Sequence, residues 1–213
     1  MIKNIIFDWS GVVSDEVVLV HQAIMAMFRK LGAAEMSLEE FKKNWEQPYM
    51  LFYQRYGMFC GPDEAENLKE EQALYRECYD AAAKKYSRKC FTGIKDLLFN
   101  LRSAGVRMIV LSSNNREHLE SDMEEFGLGG IFEEVNDNVH NKADNIKEIL
   151  ERNSFNPEET IFVGDTTHEV EAGKSAGVKT CAVTWGFSPK EKLKKSGPDF
   201  VVSNPKELES IIL

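Results

Sequence analysis

The sequence predicts an α/β protein with a doubly wound parallel sheet. Short apolar runs alternate with amphipathic stretches, the central runs are almost continuously apolar, and glycines follow the predicted helices where a left-handed C-terminal residue is favoured. Strands that alternate with helices imply right-handed parallel crossovers. The predicted strands are Ile5–Phe7, Met108–Leu111, Ile161–Val163, Thr180–Val183 and Phe200–Val202. The predicted helices between them are Thr92–Ser103, Glu117–Phe126, Lys142–Asn153 and Val170–Ala176.

One long segment, from about Asp15 to Ser87, interrupts this alternation. It shows helical patterning without a convincing strand, and it is too long to be a simple crossover. We therefore expect a helical cap domain over residues 15–87, inserted into an α/β core domain formed by residues 1–14 and 88–213. Asp15 is a candidate hinge residue. The predicted cap helices are Val17–Leu31, Leu38–Trp45, Tyr49–Tyr56 and Glu64–Tyr86.

Composition excludes several classes of protein. The chain of 213 residues carries a net charge of −9 and no long basic run, so the electrostatic footprint of a nucleic-acid binder is missing. No apolar run approaches the roughly 18 residues of a membrane span, and the first strand begins too early for a secretory signal. The four cysteines are widely spaced without a CxxC pair, which favours free thiols over a disulfide or zinc site. We expect a cytoplasmic protein.

Carboxylates follow two of the predicted strands. Asp8 ends the first strand, and Gly164-Asp165 ends a later one, with Glu169 four residues further on. Because the carboxyl ends of parallel strands share one edge of the sheet, where ligands bind in such folds, these side chains are expected to meet. Oxygen ligands of this kind suit a hard divalent cation, so the sequence predicts a Mg²⁺ site.

Four motifs in order resemble the haloacid dehalogenase-like hydrolase superfamily, especially its phosphoglycolate phosphatase and β-phosphoglucomutase branch. They are Asp8-Trp9-Ser10-Gly11, Val110-Leu111-Ser112-Ser113-Asn114, Asn141-Lys142-Ala143-Asp144 and Gly164-Asp165-Thr166-Thr167-His168-Glu169. The resemblance covers essentially the whole chain. It implies a Rossmann-like core with a helical cap, Mg²⁺-dependent hydrolysis of a small phosphorylated metabolite, and a monomer or homodimer.

The resemblance also implies roles for the nucleophile and the metal ligands. Asp8 would attack phosphorus and form an aspartyl-phosphate, which divides one difficult displacement into two easier ones. Asp165 would bind Mg²⁺ together with Asp8 and the backbone carbonyl of Ser10. Glu169 would reach the metal directly or through a water molecule. His168 lies among these acids, but Mg²⁺ prefers oxygen, so we expect it not to be a ligand.

The remaining motif residues are implied to bind the phosphoryl group. Ser112, with Ser113 and Asn114, would donate hydrogen bonds to phosphoryl oxygens, and Lys142 would place a positive charge beside Asp8 and the phosphate. Simpler interpretations exist for the same residues. A lysine at a helix start is commonly solvated, and serines before Asn114 could cap the next helix. His118 and His140 receive no assignment from the sequence.

Ser10 departs from the family pattern. Phosphatases of this type carry aspartate at this position as the general acid and base, and loss of such a group typically costs about 10²–10⁴-fold in rate. Three explanations stay open. In the first, the protein is a specialised phosphatase whose substrate has a good leaving group or whose cap supplies the proton. In the second, it cleaves a C–P bond as phosphonoacetaldehyde hydrolase does, with Lys42 or Lys43 as the cap amine. In the third, it is a catalytically silent binding or regulatory module. Dehalogenases generally lack the Gly-Asp pair retained at Gly164-Asp165.

Overall fold

The computed structural model describes all residues from 1 to 213 and divides the chain into two compact units. The first comprises Met1–Asp15 and Lys89–Leu213, and the second comprises Glu16–Arg88. The strands are β1 (Asn4–Phe7), β2 (Ser14–Asp15), β3 (Lys89–Cys90), β4 (Arg107–Leu111), β5 (Glu134–Asn136), β6 (Thr160–Gly164), β7 (Lys179–Val183) and β8 (Phe200–Val202). All of them belong to the first unit.

The helices fall into two groups. Those of the second unit are α1 (Val17–Lys30), α2 (Leu38–Asn44), α3 (Tyr49–Arg55) and α4 (Glu64–Ala83). Those of the first unit are α5 (Ile94–Ser103), α6 (Arg116–Phe126), α7 (Lys142–Asn153), α8 (Thr167–Ala176), α9 (Lys190–Lys195) and α10 (Pro205–Ile212). A short 3₁₀ helix spans Pro157–Glu159. None of the helices combines the length and apolarity that a membrane span requires.

The first unit contains a six-stranded parallel sheet in the order β5-β4-β1-β6-β7-β8. This confirms the predicted doubly wound α/β class. β1 lies between β4 and β6, and Phe7 is in register with Val110 on one side and Val163 on the other. The strand order therefore reverses at β1, which places the residues following β1, β4 and β6 at the crevice where such sheets bind ligands.

Both faces of the sheet are covered, as the continuous apolar strands indicate. Ile5 and Phe7 point into a cluster formed with α5 and α6, whereas Ile6 points into a second cluster with α7 and α8. All three side chains are fully buried. The site at the sheet edge is thus attached to a rigid, close-packed support.

Several predicted boundaries were wrong. α5 begins at Ile94 rather than Thr92 because Gly93 precedes it with φ 85°. α8 begins at Thr167 rather than Val170, since a capping box between Thr166 and Glu169 adds a turn. α4 ends at Ala83, three residues early. The differences at the ends of the other helices are of one residue.

The sequence analysis also missed short elements. β5 has polar residues at both ends and is only half-buried, so it lacks the apolar run of a central strand. α9 and α10 follow the predicted β7 and β8 without a long amphipathic pattern. β2 and β3 form a two-residue antiparallel pair in which Ser14 faces Cys90. All four cysteines are free thiols, as expected.

The second unit is helical, and α1 packs against α4. Aromatic rings fill its interior: Phe28, Phe41 and Phe52 are fully buried, and the Phe28 and Phe52 centroids lie 5.9 Å apart. Trp45 packs against Phe52 at 5.2 Å. These aromatic residues form the core of the bundle.

Candidate active site

Asp8 lies directly after β1 and is almost completely buried. Its backbone N–H donates to the carbonyl of Val163 at 2.9 Å, which extends the pairing with β6 by one residue. Its side-chain Oδ1 accepts a hydrogen bond from the backbone N–H of Trp9 at 2.8 Å, and Oδ2 lies 3.0 Å from Nζ of Lys142. Both carboxylate oxygens are therefore held in place.

Two further carboxylates lie beside Asp8. One oxygen from each of Asp8, Asp165 and Glu169 falls within 4.8 Å of the others, and all three residues are buried. Asp165 follows β6, and Glu169 lies in the first turn of α8. Three oxygen donors converging in one buried place are the ligand type that a hard cation such as Mg²⁺ takes. The residues present thus fit the predicted metal.

Glycines make room for Asp165. A Cβ added at Gly11 or at Gly186 would collide with the Asp165 carboxylate, so neither position tolerates a side chain. Gly11 also has φ +80°. The backbone N–H of Phe187 donates to Oδ2 of Asp165 at 2.5 Å. The loops after β1 and β7 therefore close tightly around this carboxylate.

Lys142 connects the carboxylates. It is the first residue of α7, which is capped by the side chain of Asn141, and its ammonium is buried. Nζ donates to Oε1 of Glu169 at 2.8 Å as well as facing Asp8. The other oxygen of Glu169 accepts from the backbone N–H of Thr166 at 2.8 Å. Lys142 is thus not a solvated surface lysine.

The electrostatics of this group are unbalanced, since three carboxylates face one ammonium. Burial raises the pKa of Asp8 to about 6, against the lowering effect of Lys142. Burial also raises the pKa of Asp165 well above its usual range, and the neighbouring carboxylates add to this. Burial opposes ionisation of Glu169 too, but Lys142 and the hydrogen bonds from His168 and Thr166 together outweigh it, and the pKa of Glu169 is lowered. A bound cation would reverse the first two shifts.

The pKa of Lys142 is also raised, and for a lysine this favours the charged form. Burial by itself lowers the pKa of an ammonium group, yet the carboxylates of Asp8 and Glu169 outweigh it, so the pKa of Lys142 is raised. The lysine is therefore held as a cation. It cannot serve as a proton donor near neutral pH, but it can stabilise negative charge at all relevant pH values.

The loop after β4 supplies hydroxyl and amide groups. Ser112 is buried, and its Oγ accepts from the backbone N–H of Asn114 at 3.1 Å, which leaves its own hydroxyl hydrogen available as a donor. The side-chain amide of Asn114 donates to Oγ of Ser10 at 3.0 Å. Ser113 is exposed. Of the three loop residues, Asn114 is therefore the one that contacts the motif at β1.

The structure brings together most of the predicted site residues. Asp8, Lys142, Asp165 and Glu169 form one cluster, while Ser10 is tied to Asn114. His168 is not among the three residues whose ligand atoms converge, but its Nδ1 lies 3.9 Å from Oε1 of Glu169 and helps to lower the pKa of that carboxyl. The helix after Asn114 is capped by Asn115, not by either serine.

Two supporting groups were missed. Gly186 and Phe187 close around Asp165, and their approach depends on the tertiary fold, although the Trp185-Gly186-Phe187 run after β7 is a sequence signal for a tight turn. Oδ2 of Asp122 on α6 accepts a hydrogen bond from the indole Nε1 of Trp9 at 2.8 Å. A signal for Asp122 was present, because it shares the apolar stripe of Leu119 and Phe126 on that helix.

Comparison with known proteins gives consistent matches. A phosphoglycolate phosphatase from Synechococcus elongatus is 28% identical over 97% of this chain and 95% of its own length. The pyrophosphatase PpaX of Bacillus velezensis is 29% identical over 72% of each chain. The solved structure of a haloacid dehalogenase-like hydrolase from Streptococcus pneumoniae, 22% identical, superposes with a TM-score of 0.79 over 100% of this chain and 99% of its own. The last match concerns the fold alone.

The family model for haloacid dehalogenase-like hydrolases matches residues 5–183. This span begins in β1 and ends with β7, so it includes Asp8, Ser112, Lys142 and Asp165. With the fold and the full-length relatives, it agrees with the motifs found in the sequence. The chain therefore belongs to the haloacid dehalogenase-like hydrolase family.

Proposed function

We propose that this protein is a Mg²⁺-dependent phosphatase of a small phosphorylated metabolite, with Asp8 as the nucleophile. The observation that carries the proposal is the buried cluster of Asp8, Lys142, Asp165 and Glu169 at the edge of the sheet. The names of the relatives, phosphoglycolate phosphatase and pyrophosphatase, support the same class of reaction. We propose further that the helical unit, Glu16–Arg88, is the cap that selects the substrate.

The reaction would run in two displacements. A carboxylate oxygen of Asp8 attacks phosphorus, a P–O bond forms, and the bond to the leaving group breaks, with the electron pair going to the leaving group. Water then attacks phosphorus of the aspartyl-phosphate, the P–O bond to Asp8 breaks with its electron pair returning to the Asp8 carboxylate, and the proton of the water passes to solvent as phosphate leaves. Lys142 stabilises charge on the phosphoryl oxygens in both steps. The Ser112 hydroxyl donates to one of these oxygens.

The carboxylates of Asp8, Asp165 and Glu169 and the carbonyl of Ser10 would hold the metal. A bound Mg²⁺ supplies positive charge that offsets the repulsion between nucleophile and phosphate. Lys142 already engages Glu169 through Oε1, and Thr166 engages its other oxygen. Glu169 would therefore act on the metal through a water molecule more readily than by direct coordination.

Ser10 restricts the leaving group. Its Oγ accepts from Asn114, and a serine hydroxyl does not ionise near neutral pH, so it cannot supply the proton that an alkoxide leaving group requires. A phosphate or carboxylate leaving group is a much weaker base and departs without protonation. We therefore propose that phosphoanhydrides and acyl phosphates are better substrates than alkyl phosphate esters.

Of the two cap amines that the C–P hydrolase alternative could use, Lys42 and Lys43, the second gives it little support. A Schiff base forms from a neutral amine, but Lys43 is exposed, pairs with Glu39 at 2.7 Å, and has its pKa raised by that carboxylate. Aldehyde release from phosphonoacetaldehyde, and reductive trapping of the substrate on a lysine, would establish that reaction. A silent binding module would show neither aldehyde nor phosphate release.

The test is phosphate release from acetyl phosphate, pyrophosphate, an aryl phosphate and phosphoglycolate, each with Mg²⁺ and with excess chelator. The proposal predicts Mg²⁺-dependent turnover that falls in this order as the leaving group becomes a stronger base. Asp165→Asn should raise the Mg²⁺ concentration needed for half-maximal rate about 10-fold or more, because it removes one buried ligand charge. Glu171→Gln, at an exposed position on α8, is the matched control and should change nothing. No turnover with any substrate would contradict the proposal.

A further inference from the structure

We propose that Asp122 is a positioning residue for the nucleophile Asp8 and acts through Trp9; this inference rests on the proposed function of Asp8. Asp122 lies on α6, outside the acidic cluster, and its side chain is fully buried. Its Oδ2 accepts a hydrogen bond from the indole Nε1 of Trp9 at 2.8 Å. The nucleophile is therefore followed by a side chain that is anchored to a helix more than a hundred residues away in sequence.

Trp9 organises the whole loop that follows β1. Its backbone N–H donates to Oδ1 of Asp8 at 2.8 Å. Its carbonyl oxygen accepts from three successive N–H groups, those of Val12, Val13 and Ser14, at 3.2, 2.8 and 3.0 Å. A displacement of Trp9 would therefore move both the hydrogen bond that orients the nucleophile and the turn that carries Ser10.

The Trp9 ring is fixed by packing on two sides. It stacks on Phe126 with the ring centroids 6.3 Å apart and the planes at 10°, and it meets Phe132 edge-on at 5.9 Å. Packing alone leaves an aromatic ring free to slide along its stack, whereas a hydrogen bond to Asp122 fixes the position of one ring atom. His118 places Nε2 at 3.5 Å from the same carboxylate oxygen.

Burying a carboxylate costs free energy unless hydrogen bonds compensate for the lost water, so a buried aspartate at position 122 calls for an explanation. Leucine at this position would continue the apolar stripe of α6 and would satisfy packing. The geometry points to orientation of Trp9 as that reason. Small displacements of reacting groups are expensive, since about 1 Å of misplacement can cost about 10²-fold in rate.

The experiment compares Trp9→Phe, Asp122→Leu and Asp122→Asn with the native chain. Trp9→Phe keeps an aromatic ring and removes the indole donor, and Asp122→Leu removes the acceptor. Both should lower kcat by about 10- to 100-fold with less than about 3-fold change in KM. Asp122→Asn keeps an oxygen acceptor, so its kcat should return to within about 3-fold of the native value. The double variant Trp9→Phe/Asp122→Leu should be no slower than either single variant, because both delete one hydrogen bond.

Asp199→Asn is the matched control. Asp199 is also a hydrogen-bonded carboxylate of the α/β unit, but it holds Thr180 at the amino end of β7, at 2.7 and 2.8 Å, opposite to the catalytic edge. It should lower Tm and leave kcat unchanged. If Asp122→Leu and Trp9→Phe likewise lower only Tm, or if Asp122→Asn is as slow as Asp122→Leu, the inference is wrong.

A second readout does not depend on turnover. Amide hydrogen exchange in the peptide that contains residues 9–14 should be faster in Trp9→Phe and Asp122→Leu than in the native chain or in Asp199→Asn, because the loop loses its anchor. Unchanged exchange in this peptide overturns the inference whether or not the enzyme turns over. Absence of turnover in the native chain, with faster exchange in the variants, contradicts the proposed function alone.

Discussion

The two units of this protein each bury carboxylates, and they stabilise them by different means. At the sheet edge of the α/β unit, Asp8 and Glu169 share the ammonium of Lys142. In the helical unit, Glu71 receives a hydrogen bond from the hydroxyl of Tyr53, a neutral donor, and burial raises the pKa of Glu71 to about 7. Lys142 favours the ionised forms of Asp8 and Glu169, whereas the neutral Tyr53 hydroxyl is outweighed by burial, which favours the uncharged form of Glu71.

This difference bears on the proposed role of Asp8 as the nucleophile. A carboxylate that accepts a phosphoryl group must be ionised. The Lys142 cation together with a bound metal would keep Asp8 ionised. Without a metal, burial and Glu169 still raise the pKa of Asp8 to about 6, despite Lys142. An added cation would therefore favour the ionised form of Asp8 in the α/β site, in line with the proposed Mg²⁺. Four changes test this comparison, in order of decreasing effect.

Asp8→Asn should have the largest effect. The amide keeps an oxygen that can accept from Trp9, but it is not a nucleophile, so kcat should fall by about 10⁴-fold or more with every substrate. Steady-state phosphate release from an aryl phosphate measures this. A variant that retains a tenth of the native rate would show that another group attacks phosphorus.

Lys142→Met should have the next largest effect. It removes the cation from between Asp8 and Glu169, and kcat should fall by about 10²–10³-fold, the range for loss of one group that stabilises transition-state charge. Lys147→Met is the control on the same helix, since Lys147 is exposed and pairs only at the surface with Asp144. Equal losses in the two variants would contradict the role of Lys142.

Ser10→Asp should increase activity. It introduces a carboxyl group beside the amide of Asn114, at the position where the phosphatases that this chain resembles carry their general acid. Hydrolysis of phosphoglycolate should rise by about 10-fold or more, because general acid catalysis matters most for a basic leaving group. Hydrolysis of acetyl phosphate should change by less than about 3-fold. An equal gain for both substrates would mean that Ser10 does not limit leaving-group protonation.

Glu71→Gln should alter stability in the pH range of its titration. The ordinary pKa is 4.5 and the folded value is about 7, so between these values the folded chain binds more protons and the free energy of unfolding falls as pH rises. The glutamine variant has no carboxyl group at position 71, so its free energy of unfolding does not show this decrease with rising pH. Its Tm should therefore exceed the native Tm increasingly from pH 5 to pH 8, with a difference of at most about 3 kcal/mol in the free energy of unfolding. A Tm difference that is independent of pH would contradict the buried, neutral state of Glu71.

Much of the α/β fold could be predicted because its strands carry strong local signals. Ile5–Phe7 and Ile161–Val163 are continuous apolar runs, and an acid follows each within two residues, so the parallel sheet and the edge that carries the candidate site could be predicted from pattern alone. β5 could not be found in this way because Glu134 and Asn136 at an edge strand give no apolar run. Edge elements are specified by their neighbours more than by their own sequence.

The candidate site was predictable to the level of individual motifs but not of contacts between them. Asp8, Lys142 and Asp165 stand at helix or strand ends that the sequence marks clearly. The bond from Asn114 to Ser10 and the bond from Trp9 to Asp122 each join segments more than a hundred residues apart. Such pairings depend on strand order and helix rotation, which only the assembled fold determines.

The most direct test of the account is acid-quench trapping of the native chain after brief exposure to acetyl phosphate and Mg²⁺. The account predicts a phosphoryl group that is released by hydroxylamine, the behaviour of an acyl phosphate, and that maps by mass spectrometry to the peptide containing Asp8. It should be absent from Asp8→Asn and from the chelator-treated native chain. Phosphate release without a trapped phosphoryl group on this peptide, or trapping on a different residue, would contradict Asp8 as the nucleophile.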